Sequence, residues 1–526
     1  MLIAKNGSNG NQPLAALIMS QKVDQLLDWC DQHGISLLNI MILDSPLDSG
    51  ITVIALDNLA HSDLVAKIPK SSILSRRTSQ LLTDVPDSET NGDDVLELSL
   101  VLAYELALGE QSDWFGYLQS LPREQVPVAA LWQDSPDEDS QNAALWLQGS
   151  ETSQAIRILS KSSSVSQTIS DYYNRVVNPV LARVGRTITL AEFRRAWSLV
   201  SSRSFRIDSY HGVAMVPIAD AFNHIGENQV HIETDFDVCP TCGSLQSCQH
   251  DEDEDLHASN PKEDIPLVEN TCDMIMNAPV SAGDEIFNSY DSNLPNSTLL
   301  ARYGFILQGN EYDYISWDTT HLPPAIQGCV RAPSEDPVEI WTEELLDKTS
   351  LVYDSSNALT SSVHANSTSR GRSSAYTRLH FRINSDGLIS VDLWIAAAVC
   401  SIKVLGNNPS SASLKSSLEQ LARAQVYLEI NEDDAKDAGI SSTTLLELKI
   451  LANLVQDLCG SRLEGMYRPE LSVAECGDFL DRIPSNMVRS RMAVAQALSE
   501  RATLIACKDG WQDLVKSLNE VDPDYN

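Results

Sequence analysis

The hydrophobic period of this chain changes more than once along its length, and the order of the changes limits what it can fold into. Short apolar runs from Ser36 to Leu43 and from Ile51 to Leu56 come first; they are β-branched, punctuated by Asp, Pro and Gly, and read as strands. Helical periods follow. Strand-like runs return between Val213 and Tyr290, and beyond about residue 310 the apolar spacing is helical again. Strands on both sides of a helical stretch, followed by a helical second half, make an α+β fold.

Within that plan several elements are well marked. Val23, Leu26, Leu27 and Cys30 recur at helical spacing before a stop at Gly34, and Leu98 to Leu108 is apolar almost all round, predicting a buried helix that ends at Gly109. Pro122 and the acidic stretch Pro136 to Asp139 mark loops around a further helical segment. Thr189-Leu-Ala-Glu192 has the form of a capping box, with Leu190, Phe193, Trp197 and Val200 behind it, so a helix runs toward Ser202-Arg203. A polar break then leads to the apolar run Val213 to Ala219, which ends in Asp220-Ala-Phe-Asn223-His224. Val230 to Phe236 alternates as a strand, Thr271 to Asn277 reads as its neighbour, and a turn at Ala282-Gly283-Asp284 predicts a hairpin with Glu285 to Tyr290. In the second half, residues 354 to 375 are Ser-rich and read as a mobile loop. Leu446, Ile450, Leu454 and Leu458 form one helical stripe stopping at Gly460, and Val488, Met492, Ala495, Ala502 and Ile505 form another.

Composition narrows the function classes. Among 526 residues, 73 acidic side chains against 37 basic ones give a net charge of −36, which argues against nucleic acid as a direct partner. The 10 cysteines cluster only at Cys239, Cys242 and Cys248, unlike a disulfide scaffold. The start lacks a signal pattern and the longest apolar stretch, Leu393 to Cys400, is too short to span a bilayer. The expectation is a soluble, monomeric protein of the cytoplasm, the nucleus or both.

Three segments carry chemistry when taken together: Ser202-Arg203, then Asp220-Ala-Phe-Asn223-His224, then Asn288-Ser-Tyr290 followed by Tyr303-Gly-Phe305. In this order and spacing they resemble the SET-domain protein methyltransferases, in the branch typified by Rubisco large-subunit methyltransferase, which includes fungal ribosomal-protein lysine methyltransferases. Leu27-Asp-Trp29 with Gly34, and Leu100 to Pro122, resemble further segments of that branch. The resemblance implies a β-rich SET domain over 17–89 and 191–310, split by an inserted helical region at 90–190. An all-α substrate-binding domain would follow over 311–526.

The resemblance also implies an activity and a set of roles: S-adenosylmethionine-dependent methylation of a lysine on a protein substrate. Asn223 and His224 would bind the cofactor, His224 largely through its backbone, with Ser49 and Ile51 contributing from the early strand. Arg203 would meet the cofactor carboxylate, since its planar fork suits two oxygens. Tyr290 would stand beside the transferring methyl as the catalytic residue. Tyr303 and Phe305 would flank the lysine channel, with Ser202 and Asp220 near the substrate nitrogen. The intact Tyr303-Gly-Phe305 resembles the lysine-modifying members, and the acidity of the chain suits a basic acceptor such as a ribosomal protein.

Two features depart from the pattern. The early strand reads Gly50-Ile-Thr52, keeping one glycine where the family has two, so a SET-fold binding module that has lost transfer stands as the rival reading. Between residues 239 and 266 an acidic insertion carries Cys239-Pro-Thr-Cys242, Cys248 and His250, the ligand types of a closed zinc site. Cys248 and His250 are closely spaced, so His257 is an alternative fourth ligand, and a flexible acidic loop with free thiols is the plainer reading. A zinc hydrolase lacks support, because no open metal-site motif is present.

Overall fold

The computed structural model describes residues 21–45, 50–83, 93–160, 164–250, 270–291, 293–318, 322–324, 326–327, 381–406, 411–430 and 440–521. Two compact units divide the chain: Met1–Asp134 with Ile156–Leu294 and Thr298–Gln308, and Ser135–Ala155 with Pro295–Ser297 and Gly309–Asn526. No helix among the described residues is long and apolar enough to cross a membrane.

The first unit is built from short strands. They are β1 (Ser36–Leu37), β2 (Ile40–Asp44), β3 (Ile51–Ala55), β4 (Leu64–Pro69), β5 (Leu74–Ser75), β6 (Ser204–Arg206), β7 (Val213–Met215), β8 (Asn223–His224), β9 (Val230–Thr234), β10 (Thr271–Met276) and β11 (Phe287–Asn288). The largest sheet has the order β1-β4-β10-β9-β11-β8, while β2-β3 and β5-β7-β6 form smaller ones. Residues from before and after the helical stretch share one sheet, so the chain must fold around that stretch to close it. The helix Asp94–Leu108 explains how this is done: Leu96, Leu98, Leu100, Val101 and Leu102 are all buried, and Gly109 takes φ 58° to end it. Leu190–Arg203 opens with the capping box of Thr189 and Glu192, and buries Phe193, Trp197, Leu199 and Val200 against the same core.

Two strand expectations change. The strand from Val230 ends at Thr234, short of Phe236, which is exposed. The predicted hairpin between Thr271–Met276 and Glu285–Tyr290 does not form. After the turn, the Ile286 amide donates to Val53 O (2.9 Å), and β11 pairs in parallel with β8 and β9. Pairing with β8 and β9 and bonding to β3 outweigh the local turn, because they place Ile286 in the core, fully buried.

The second unit is mainly helical, from Val391–Val404, Ser411–Ile430, Ser442–Glu464, Val473–Arg482 and Val488–Val521. It is not purely helical: Tyr314–Trp317 and Phe381–Asn384 pair as an antiparallel ribbon, with Ile315, Phe381 and Ile383 buried. Residues 135–155 group with this unit through Trp146, whose ring meets those of Tyr467 and Phe479 at 5.4 and 5.1 Å. The acids at 137–139 cap and open the helix Glu138–Trp146. Ser442–Glu464 continues through Gly460, and its buried face is Leu445, Leu448, Leu451, Val455 and Leu458; the expected stripe is rotated by about one position. The Ser-rich stretch 354–375 lies outside the described residues.

Candidate functional site

The site grows from the end of the capping-box helix and from two very short strands. After β7 the chain passes Ile218, a fully buried β-branched residue with φ 71°, and turns through Ala219–Ala221 into β8. A β-branched residue at positive φ is strained by on the order of 1–3 kcal/mol, and here the surrounding core holds it. The consequence is positional: Asp220 is turned inward while Asn223 and His224 run beside Phe287 and Asn288.

Around β11 the rings come together. Tyr290 lies 4.9 Å from Tyr303, 6.2 Å from Phe305 and 5.0 Å from His224, centroid to centroid, and Phe305 is 5.8 Å from His224. Tyr303 and Phe305 return to the same place because Gly304 takes φ 81° and lies so close to Pro127 that a Cβ would meet its carbonyl at 2.8 Å. Glycine is therefore required at this position. Tyr290, Tyr303 and Phe305 are half-buried, so they form walls and not a sealed core. Burial pushes the Tyr290 hydroxyl up to about 12, leaving it protonated near neutral pH. Burial also pushes His224 down to about 4, so its ring is neutral. Its Nδ1 accepts from the Tyr290 amide at 3.1 Å, which places the ring proton on Nε2.

A polar arm adjoins the rings. Arg203 Nη1 donates to the Asp220 carbonyl (2.7 Å) and lies 3.9 Å from Asp220 Oδ2. Asp220 Oδ2 also accepts from the hydroxyl of Tyr117 at 2.9 Å. Burial raises Asp220 to about 6, opposed by Arg203 and the Tyr117 hydrogen bond. Gly50 has φ 113°, and a Cβ there would come within 3.2 Å of Arg203 Nη2, so its glycine keeps space beside the guanidinium. Glu285 Oε1 accepts from both Asn223 Nδ2 and Thr52 Oγ1, each at 2.6 Å. Thr52, the departure from the double glycine, is thus bonded to the acid that orients Asn223.

Of the residues expected at the site, His224, Tyr290, Tyr303 and Phe305 form one group of rings, Arg203 and Asp220 bond to each other, and Asn223 bonds to Glu285. Ser202 is buried, and its hydroxyl donates to Ser198 O (2.8 Å) within its own helix. Ile51 is buried in β3 opposite Asp44, and Ser49 lies outside the described residues. Two members were missed in the sequence. Tyr117 sits in a run of core-forming residues, and nothing in a helical period separates a tyrosine with a buried acceptor from an ordinary core tyrosine. Glu285 follows a turn, where an acid is unremarkable until its partners are known.

A half-open aromatic cage, a buried carboxylate and a guanidinium beside a glycine thus lie on this β-rich unit. The solved structure of the SET domain of LSMT bound to lysine and AdoHcy matches with a TM-score of 0.54 at 15% identity, over 96% of this chain and 94% of that one. Rubisco LSMT bound to AdoMet matches equally well, at 0.54 and 16% identity. In sequence the chain is 25% identical to ribosomal lysine N-methyltransferase 3 of Saccharomyces cerevisiae, over 57% of this chain and 64% of that protein. It is 25% identical to the N-lysine methyltransferase setd6 of Xenopus laevis, over 54% and 57%. Against the pea Rubisco large-subunit N-methyltransferase the identity is 23%, over 55% and 52%. The chain therefore spans less than two thirds of these curated relatives. No family model matches it. The resemblance drawn from the motifs holds: the fold is the SET fold of Rubisco LSMT, and the sequence is similar to protein-lysine N-methyltransferases.

Proposed function

We infer that this protein methylates a lysine side chain of a protein substrate, using S-adenosylmethionine, and that the acceptor is a basic protein such as a ribosomal protein. The observation that carries the reading is the half-open cage of Tyr290, Tyr303 and Phe305 set against neutral His224. Such rings can hold the alkyl stem of a lysine while excluding water from its nitrogen.

The residues present fit the cofactor. Arg203 offers a cation for a carboxylate, with Gly50 leaving room beside it. Asn223 is oriented by Glu285, and backbone groups are available at Ile51 in β3 and at His224 in β8. When bound, S-adenosylmethionine supplies an electrophilic methyl group on its sulfonium. The chain must supply a neutral amine, whose ordinary pKa of about 10.4 requires desolvation or proton loss. The Tyr290 hydroxyl, held protonated by burial, orients that amine by hydrogen bonding and does not take its proton as a phenolate. Asp220 would stand near the nitrogen as a polar neighbour, whereas the Ser202 hydroxyl is spent on Ser198 O within its own helix. Thr52 does not argue for the inactive rival, since its hydroxyl is taken up by Glu285.

The similarity to a ribosomal lysine methyltransferase and the charge of −36 support a basic ribosomal acceptor. Labelled S-adenosylmethionine incubated with the protein and a ribosomal-protein fraction tests this. A labelled band that disappears with Tyr290→Phe is expected. Cofactor binding with no labelled band in any fraction would favour the binding module.

A further inference from the structure

We propose that Cys239, Cys242, Cys248 and His250 form a closed, structural zinc site that fixes the connection between β9 and β10. Their ligand atoms all lie within 4.8 Å of one another. His250 Nδ1 is 3.5 Å from Cys248 Sγ and 3.7 Å from Cys239 Sγ. One zinc with Zn–S near 2.3 Å and Zn–N near 2.05 Å puts sulfur and nitrogen about 3.6 Å apart at the tetrahedral angle, and two sulfurs about 3.8 Å apart. Hydrogen bonding is a poorer account of the cluster, because one Nδ1 proton cannot serve two thiols equally well. The short Cys248 to His250 spacing is no obstacle, since both side chains reach the same point; His257, the alternative ligand, lies outside the described residues.

The backbone around the cluster is shaped for the role. The Gly243 amide donates to Cys239 O (2.8 Å) and the Cys239 amide to Ser244 O (2.9 Å), closing a tight loop around the first two cysteines. Gly243, at φ 73°, lies where a Cβ would meet the Tyr210 ring at 2.7 Å, so the loop is pressed against the turn at residues 208–212. Below it, buried Lys70 donates to Asp208 Oδ2 and to Asp235 O, both at 2.8 Å, and Asn270 Nδ2 donates to Gly243 O at 3.3 Å. The chain before and after the insertion is tied down at Asp235 and Asn270, and the four ligands gather within residues 239–250. With four protein ligands and none of the open positions that catalytic zinc keeps, the site is structural.

The test is metal analysis of the full-length protein purified without chelator, beside Cys242→Ser and Cys239→Ser. About one zinc per chain is expected in the wild type, falling by at least fivefold in either variant. Chelator-stripped wild type refilled with cobalt should show the intense visible absorption of tetrahedral thiolate coordination, a readout that does not depend on the variants folding. Sub-stoichiometric zinc together with no cobalt spectrum would overturn the proposal. Zinc retained in full by both variants would overturn it as well, by placing the metal elsewhere.

Discussion

The aromatic site and the Cys/His loop belong to the same unit but owe their chemistry to opposite conditions. Around Tyr290 burial does the tuning: it lowers His224 to about 4, raises Asp220 to about 6 and raises Tyr290 to about 12. At the loop the groups are exposed or half-exposed, and backbone amides of Cys242 and Thr241 draw the Cys239 thiol down to about 6. A site tuned by burial depends on the packing of the core beneath it. A site tuned by backbone donors needs only a closed loop, and can stand at the surface on a stem.

The sharpest way to test that division is to change one site and read both. Tyr290→Phe should lower turnover by about 10²–10³-fold, the scale of losing one oriented hydrogen bond at a reacting centre, while zinc content stays at the wild-type value. Removal of zinc by a chelator should leave cofactor affinity within about threefold, since metal and cofactor would be held by separate shells. Equilibrium dialysis with labelled cofactor reads the second arm. A larger loss there would mean that the loop supports the site and that the two are one device.

Gly50→Ala comes next in size. A Cβ at φ 113° is strained by roughly 1–2 kcal/mol and would press on Arg203 Nη2. Cofactor affinity should fall about tenfold, with turnover at saturation changed much less. An equal fall in both would show that the glycine serves the chemistry and not the guanidinium.

Protonation offers a smaller effect with a clear sign. His224 has its native pKa depressed from 6.5 to about 4, so it favours the fold above 6.5 and that stability is lost as pH falls toward 4. Asp220 is raised from 3.8 to about 6, so its contribution is present below 3.8 and lost as pH rises through 6. Between pH 4 and 6 the two slopes oppose each other. Relative to wild type, urea midpoints of Asp220→Asn should drop more steeply on acidification, and those of His224→Asn should rise. Parallel curves for all three proteins would show that burial does not set these groups apart.

The sequence revealed most of this through order and spacing. The Thr189 capping box, the Gly109 stop and the run from Asp220 to His224 are local signals, and local physics placed them correctly. The hairpin at Glu285 failed because turn chemistry cannot say which distant strand will bury Ile286 better. The helix face at Leu446 slipped because a long helix has room for two nearby apolar stripes, and only its neighbours choose between them. Tyr117 and Glu285 were hidden for a related reason: each acts through a partner more than 60 residues away.

Thr52 is where the smallest effect carries the most information about the comparison. Its hydroxyl and the Asn223 amide share Glu285 Oε1, so the side chain that breaks the glycine pattern is hydrogen-bonded to the acid that holds Asn223. Thr52→Val keeps the shape and strand preference but removes one donor to a half-buried carboxylate, a loss of about 1 kcal/mol after allowance for solvent. Cofactor affinity should weaken by about two- to fivefold. Thr52→Gly removes the same donor and adds backbone freedom, roughly 0.5–1 kcal/mol more, so it should be the weaker binder of the two. If Thr52→Gly instead bound or turned over better than wild type, the threonine would be a handicap the fold tolerates, and burial alone would no longer explain how this arm is held.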